Sequence, residues 1–281
     1  MQRFYARTDL AAEASARLDT TVEGVKTEEL TVRGCKVSKV EITSPAGAEA
    51  IGKPEGKYLT IEMEEYVNRR AVSFSDCANA LAELLSSFNA VSSAKSFVIA
   101  CLGNRAVTPD AVGPATADSL IVTRHLKASL PDEFAAFSSV AVVRTGVLGT
   151  TGIESAQAVL SMCELVQPDC VIAVDALASG EVGRLCRNIQ ICDTGISPGS
   201  GVGNDRAAIN AEYLKRPVIA VGLPTVVDAS AFTQDEAAKG LFVTPRNIDE
   251  LVKSVSKLLA YGINLAVHSG MSVEDVDMLV E

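Results

Sequence analysis

The sequence lacks the residues from which many catalytic sites are built. It contains only two histidines, His125 and His268, and no HExxH motif, which excludes a histidine-rich zinc site. We expect His125 to be a helix-end or packing residue rather than a catalytic base. No GxxxxGKS, GxxxxGKT or GxGxxG motif is present for a nucleotide phosphate, and Pro198 stands where a GxSxG nucleophile motif needs its first glycine. The common nucleotide-binding and serine-hydrolase patterns are therefore absent.

Long apolar runs and paired cysteines are also missing. The longest apolar runs, such as residues 97–102, are far too short to span a bilayer, and no basic-plus-apolar signal segment opens the chain. Seven cysteines occur without a CxxC pair, which predicts reduced core thiols in a cytoplasmic compartment. The formal net charge of −10 argues against nucleic acid as a direct ligand, although an acidic enzyme attracts basic or DNA-associated protein substrates.

The sequence does contain an alternation of short apolar strands and helical segments. Residues 26–64 carry β-branched and alternating runs punctuated by proline and glycine, and predict a β-rich elaboration. Beyond them we predict strands over 96–102, 140–143, 170–174, 189–192 and 218–221. The predicted helices cover 77–91, 110–128, 153–166, 205–215 and 248–260. Such alternation predicts a three-layer α/β fold, with a mainly parallel twisted sheet and helices on both faces.

Polar residues at the carboxyl ends of the predicted strands mark a candidate site, because ligands of open α/β sheets bind at that edge. Asp110 lies in the loop after the strand over 96–102, and Asp175 directly follows the strand over 170–174. Asp110 is equally suited to capping the helix that starts there. An acid at the position of Asp175 is costly to bury without a function. A third loop, 193–204, is glycine-rich and suited to a close approach of backbone to a ligand or to an anion-binding nest.

An aspartate pair would supply acid–base chemistry. Two carboxyl groups that face each other across a cleft cannot both ionise cheaply, so that one pKa rises and the pair shares a proton. Such a pair activates a water with one oxygen and protonates a leaving amine with the other. Asp110 and Asp175 are far apart in the chain, so that only the fold can bring them together.

Seven segments of these loops run in order along the chain: 108–114 (TPDAVGP), 123–126 (TRHL), 146–154 (GVLGTTGIE), 171–178 (VIAVDALA), 189–196 (IQICDTGI), 198–204 (PGSGVGN) and 224–229 (PTVVDA). Together they closely resemble the germination protease family of endospore-forming bacteria. The resemblance implies an endopeptidase that degrades the small acid-soluble proteins coating spore DNA in the spore core. It also implies a self-processing zymogen, a homotetramer and a fold similar to that of hydrogenase-maturation peptidases. Carried over motif by motif, the family's two essential aspartates fall on Asp110 and Asp175, and we assign no cofactor.

The N-terminal residues 7–13 (RTDLAAE) resemble the self-processing site of that family. An acid precedes an apolar residue there, and alanine and a second acid follow. We predict cleavage between Asp9 and Leu10, so that residues 1–9 form a propeptide and residues 10–281 a single α/β peptidase domain. Alternatively, Thr8 or Asp9 caps a helix over residues 10–18.

Two loops are candidates for the substrate groove and for backbone N–H groups that stabilise an oxyanion. The residues they supply are Gly149, Thr150, Gly199, Ser200, Gly201 and Asn204. Two other functions remain open at this point. One is a metal-dependent maturation peptidase of the hydrogenase type, for which a histidine ligand is missing. The other is a non-catalytic module that binds a phosphate or a small metabolite through the glycine-rich loops.

Overall fold

The sheet contains nine strands in the part of the chain that the structure describes. The structure is a computed structural model and describes residues 7–18, 22–68, 70–199, 206–233, 238 and 240–280. In chain order the strands are β1 (Val25–Val32), β2 (Cys35–Ile42), β3 (Gly56–Glu62), β4 (Ser96–Leu102), β5 (Ser139–Gly146), β6 (Cys170–Ser179), β7 (Asn188–Cys192), β8 (Val218–Asp228) and β9 (Phe242–Val243).

The sheet is mixed, with the order β1-β2-β3-β7-β8-β6-β4-β5 and β9 beside β8. Strands β5, β4, β6 and β8 are parallel to one another, whereas β1, β2, β3 and β7 extend the sheet in antiparallel fashion. The predicted α/β class is confirmed. The parallel part is narrower than expected, because β7 runs against both of its neighbours. The β-rich residues 26–64 join the same sheet through the pairing of β3 with β7.

The helices flank the sheet and differ in length. In chain order they are α1 (Ala11–Ala16), α2 (Pro45–Ile51), α3 (Glu64–Val67), α4 (Phe74–Ser86), α5 (Asn89–Ser92), α6 (Val112–Thr116), α7 (Arg124–Ser129), α8 (Leu148–Thr151), α9 (Ser155–Val166), α10 (Ala211–Leu214), α11 (Ile248–Val267) and α12 (Val273–Val280). Helix α4 begins with a capping box, in which the Ser73 hydroxyl accepts the Asp76 N–H and the Asp76 carboxylate accepts the Ser73 N–H. A serine followed three residues later by an acid is thus a signal in the sequence that marks the start of this helix.

Apolar layers lie on both faces of the sheet. Ile172 and Val174 of β6 point to one face, where α4, α6 and α11 pack. Val171 and Ala173 point to the other face, where α9 and α10 pack, and α1 and α2 cover the antiparallel end of that face. Successive side chains of a strand alternate between faces, and both faces are buried here, which explains why the central strands are continuous apolar runs. The prediction of helices on both faces is confirmed.

Two predicted helices are much shorter in the structure than expected. The prediction over 110–128 gives way to a short turn at Thr108–Asp110, then α6, a second turn at Ala117–Ser119, and α7. Tertiary hydrogen bonds interrupt it, because the Ile121 N–H donates to the Asn264 side chain (3.0 Å) and the Thr123 N–H to the Val140 carbonyl (3.1 Å). The prediction over 205–215 is reduced to α10 in the described residues.

Two expectations from composition can be compared with the structure. All seven cysteines are buried and form no disulfide. Cys35 and Cys77 are the pair in contact, with 3.6 Å between their sulfur atoms. Among the described helices, none is both long enough and apolar enough to cross a membrane.

Candidate active site

An early end of β4 opens the sheet beside Asp175. The pairing of β4 with β6 stops at Cys101 and Val174, whereas β6 and β8 continue in parallel for several residues. Asp175 is the first residue of β6 beyond that pairing and lies opposite Gly222 of β8. The sequence placed Asp175 after its strand, and the structure places it inside a longer strand. The loop that follows β4 fills the adjacent space and carries Asp110.

The backbone around Asp110 is folded tightly onto the end of β4. Gly103 has a φ of +107°, and a Cβ atom there would lie 2.1 Å from the Asp110 carbonyl oxygen. The Asn104 N–H donates both to that carbonyl (3.0 Å) and to the Asp110 carboxylate (2.9 Å). The Thr225 hydroxyl donates to the Pro109 carbonyl (2.7 Å) and ties the turn to β8. Asp110 therefore follows a glycine-dependent turn and does not cap the long helix predicted there.

Both acids line one cavity of about 350 Å³. Asp175 is only 4% exposed at its floor, and Asp110 is half-buried at its wall. Asp9 lines the same cavity, and so does Arg206. The remaining lining is largely apolar and includes Leu102, Val147, Leu177, Ile196 and Phe242. The fold thus brings together the two aspartates that the sequence singled out.

Burial dominates the electrostatics of the pair. It raises the pKa of Asp175 well above the ordinary value, and the charge of Asp110 raises it further, against the opposing effect of a 2.9 Å hydrogen bond from the Ala176 N–H. Burial also raises the pKa of Asp110, whereas the Asn104 N–H and Arg206 act in the opposite direction. Burial thus favours the protonated form of both acids, and the neighbouring charge of Asp110 adds to this effect at Asp175.

The two loops proposed for the groove differ in position. Gly199 lines the cavity beside Ser197 and Pro198. Gly149 and Thr150, in α8, are exposed and do not line it, whereas their neighbour Val147 does. The other candidates of the glycine-rich loop lie outside the described residues, namely Ser200, Gly201 and Asn204.

The N-terminal segment runs along the end of β6 into this site. The Asp9 N–H donates to the Ala178 carbonyl (2.9 Å), and the Ala178 N–H donates to the Asp9 carboxylate (2.8 Å). Leu10 is fully buried and precedes α1 without a side-chain cap. The Thr8 hydroxyl accepts the Leu10 N–H (3.0 Å), so that neither Thr8 nor Asp9 caps a helix over 10–18. The bond predicted to be cut thus begins at a residue that lines the cavity.

Sequence inspection missed two residues that hold this segment. The Gln190 side chain donates to the Asp9 carbonyl (2.9 Å) and accepts the Ala11 N–H (2.7 Å). The buried Glu13 carboxylate accepts the Ser179 hydroxyl and the Gly180 N–H, and Arg17 and Arg184 lie 3.6 and 3.5 Å from it. Gln190 could have been recognised from the sequence, because it is a polar residue inside the apolar run of a predicted strand.

The histidines lie away from the aspartates. His125 is exposed on α7, and His268 is buried against Phe137. Within the described ranges, no group of three or more His, Cys, Asp or Glu side chains is arranged to hold a metal ion.

The fold and the site define an α/β protein in which two buried or half-buried aspartates, Asp110 and Asp175, line one cavity. A family model described as germination protease matches residues 6–238. The chain is 38% identical over 320 residues to a germination protease of Clostridium perfringens (98% of each chain), and 39% identical over 291 residues to that of Halalkalibacterium halodurans (98% of this chain, 78% of the relative). A hydrogenase maturation protease, HycI of Thermococcus kodakarensis, superimposes with a TM-score of 0.38 at 19% identity, over 62% of this chain and 96% of that one. The chain belongs to the germination protease family and is a peptide hydrolase of spore germination.

Proposed function

We propose that Asp110 and Asp175 together hydrolyse peptide bonds, and that the substrates are the small acid-soluble DNA-binding proteins of the spore. The observation that carries the proposal is the convergence of these two acids, one from the turn after β4 and one from within β6, on one cavity in which burial raises both pKa values. Carboxyl groups in structural ion pairs have lowered pKa values, whereas raised values in a cleft are typical of acid–base sites.

The two acids share one proton, and the reaction can be written as transfers of protons to and from them. We assign the proton of the pair to Asp175, because it is the more deeply buried acid and its pKa is raised well above the ordinary value, and we assign the negative charge to Asp110. Asp110 removes a proton from the attacking water as the oxygen bonds to the peptide carbon. When the carbon–nitrogen bond breaks, Asp175 gives its proton to the leaving nitrogen. The products are a carboxylic acid and an amine, and the pair is left with its proton on Asp110. Transfer of that proton from Asp110 to Asp175 restores the starting state.

The chain itself is included among the substrates. We propose that the protein is a zymogen that cuts its own bond between Asp9 and Leu10 and releases residues 1–9. Support comes from Asp9, which lines the cavity with both aspartates and binds Ala178 of β6 through its backbone N–H and its side-chain carboxylate. These two bonds hold the segment against β6, beside the cavity.

The proposal also covers the location of the enzyme and its oligomeric state. We place it in the spore core as a homotetramer, on the strength of its family and of the resemblance in its loops. The net charge of −10 supports a basic, DNA-associated protein as the partner, because opposite charges accelerate association. Light scattering of the purified chain at several concentrations tests the tetramer directly.

The aspartate pair is tested with Asp110→Asn and Asp175→Asn, which preserve shape and remove the titratable group. We expect each variant to fold and to cut a recombinant small acid-soluble spore protein at least about 10²-fold more slowly. Asp132→Asn, an exposed acid far from the cavity lining, is the matched control and should cut at the normal rate. Near-normal cleavage by either dyad variant would refute the pair. Loss of activity with a chelator, restored by a divalent ion, would favour a metal-dependent peptidase instead.

A further inference from the structure

Gln190 lies in the same row of the sheet as Asp175. Gly222 of β8 pairs with Asp175 on one side and with Gln190 on the other. Residues that pair across a sheet direct their side chains to the same face. Gln190 is only 6% exposed and lines a second cavity of about 370 Å³, which shares Asp9, Leu177 and Ile196 with the first. An amide therefore stands on the same face as the buried acid, two strands away.

Both ends of the Gln190 amide bond the N-terminal segment. Its nitrogen donates to the Asp9 carbonyl oxygen (2.9 Å), and its oxygen accepts the Ala11 N–H (2.7 Å). These two bonds fix the orientation of the amide, because a flipped group would set donor against donor and acceptor against acceptor. The donor therefore points to one atom, the carbonyl oxygen of residue 9.

That oxygen belongs to the bond for which cleavage is proposed above. When water adds to the Asp9 carbonyl carbon, the carbonyl electron pair moves onto the oxygen, which becomes negatively charged. Donors about 2.7–3.1 Å from this position stabilise the charge, and side-chain amides serve as such donors. We propose that Gln190 is the catalytic residue that stabilises this oxyanion, an inference that rests on the proposed function.

The remainder of the segment is held without Gln190. Lys53 donates to the Thr8 carbonyl (3.3 Å), Asp9 is bonded to Ala178, and the buried Glu13 fixes the first turns of α1. Anchoring alone thus does not require an amide at the scissile carbonyl. Gly149 and Thr150, the donors expected from the sequence, are exposed and do not line the cavity.

The step balances without a further reactant. The water proton goes to Asp110, the oxygen bonds to the carbon, and the oxyanion accepts the Gln190 N–H. Collapse re-forms the carbonyl and breaks the bond to the Leu10 nitrogen, which takes the proton of Asp175. Gln190 gains and loses no proton, so that its contribution is independent of pH near neutrality.

The test compares three variants of the full chain. Gln190→Glu keeps the acceptor for the Ala11 N–H and removes the donor, and Gln190→Leu removes both. Gln157→Leu replaces an exposed glutamine of α9 by leucine, as Gln190→Leu does in the site, and serves as the control. Two rates are measured by intact mass: self-cleavage after Asp9, and cleavage of a small acid-soluble spore protein once self-cleavage is complete. Thermal melting verifies that each variant is folded.

We expect both Gln190 variants to lower the self-cleavage rate and kcat by about 10²–10³-fold, with KM changed less than about threefold. Gln157→Leu should behave as the unmodified chain. A Gln190 variant with normal kcat, or with raised KM alone, would overturn the inference and leave the proposed function standing. An unmodified chain that cuts neither itself nor the spore protein would overturn both.

Discussion

Asp175 and Gln190 are each paired directly with Gly222, the residue of β8 that separates them. A Cβ atom at Gly222 would lie 2.4 Å from the Leu177 side chain, so that a larger residue at the centre of this row would force that side chain to move. Asp9 lines one cavity with Asp175 and the adjoining cavity with Gln190. The acid and the amide therefore both reach the same short segment of chain.

The rate of self-cleavage should depend on pH as a bell-shaped curve, since the mechanism needs one protonated and one ionised acid. Because burial raises the pKa of both aspartates, the rate should fall as the pH rises through the upper value of the pair. It should also fall in stronger acid, where Asp110 becomes protonated. Intact-mass time courses from pH 4 to pH 9 measure this. A rate that is constant over that range would contradict a shared proton.

Asp175→Asn should make the protein more stable at pH 7 while it abolishes cleavage. The folded-state pKa of Asp175 is raised well above the ordinary 3.8, so that unfolding at a pH between these two pKa values releases a proton. Stability from this group is therefore greatest in acid and is lost as the pH rises towards the folded-state pKa. Asparagine does not titrate, so that the variant avoids this loss of stability, and its side-chain oxygen still accepts the Ala176 N–H. We expect a Tm higher by at least about 2 °C at pH 7, with a smaller difference near pH 4. A lower Tm at pH 7 would refute this.

Gly103→Ala should disrupt the turn that positions Asp110. At φ +107° a Cβ atom is strained, and it would also lie 2.1 Å from the Asp110 carbonyl oxygen. We expect a loss of about 2–4 kcal/mol in the free energy of unfolding and little cleavage activity. Urea denaturation and a cleavage assay measure the two effects. Gly183→Ala is the control, because no atom lies within 4 Å of its added Cβ. Equal behaviour of the two variants would show that the turn is not constrained.

Glu13→Gln should loosen α1 and slow self-cleavage. The Glu13 carboxylate is fully buried between the Gly180 N–H, the Ser179 hydroxyl and two arginines, and a neutral amide leaves these groups unmatched. The expected cost is about 3 kcal/mol. Hydrogen exchange should show reduced protection over residues 10–16. Glu133→Gln, an exposed change of the same kind, is the control. Unchanged exchange over α1 would contradict this role of Glu13.

The starts of the strands were well predicted because their signal is local, although β6 and β8 extend to Ser179 and Asp228, well beyond the predicted ends at 174 and 221. A continuous apolar run needs burial on both faces, and the prediction over 96–102 coincides with β4. The helix over 110–128 failed for a non-local reason. The N–H groups of Ile121 and Thr123 bond to α11 and β5, which lie far away in sequence, and these bonds replace the helical ones. A window of neighbouring residues contains no information about such partners.

The sequence by itself determined the α/β class, the apolar strands, and Asp110 and Asp175 as acids in loops or at ends of strands. Burial tendency and strand periodicity are properties of adjacent residues, so that they can be recognised in the chain. Only the tertiary structure decided that the two acids share a cavity and that Gln190 contacts Asp9, 181 residues away. Those relationships depend on the order of strands in the sheet and on the glycine between them. Sheet order arises from packing of the whole chain, which no local pattern specifies.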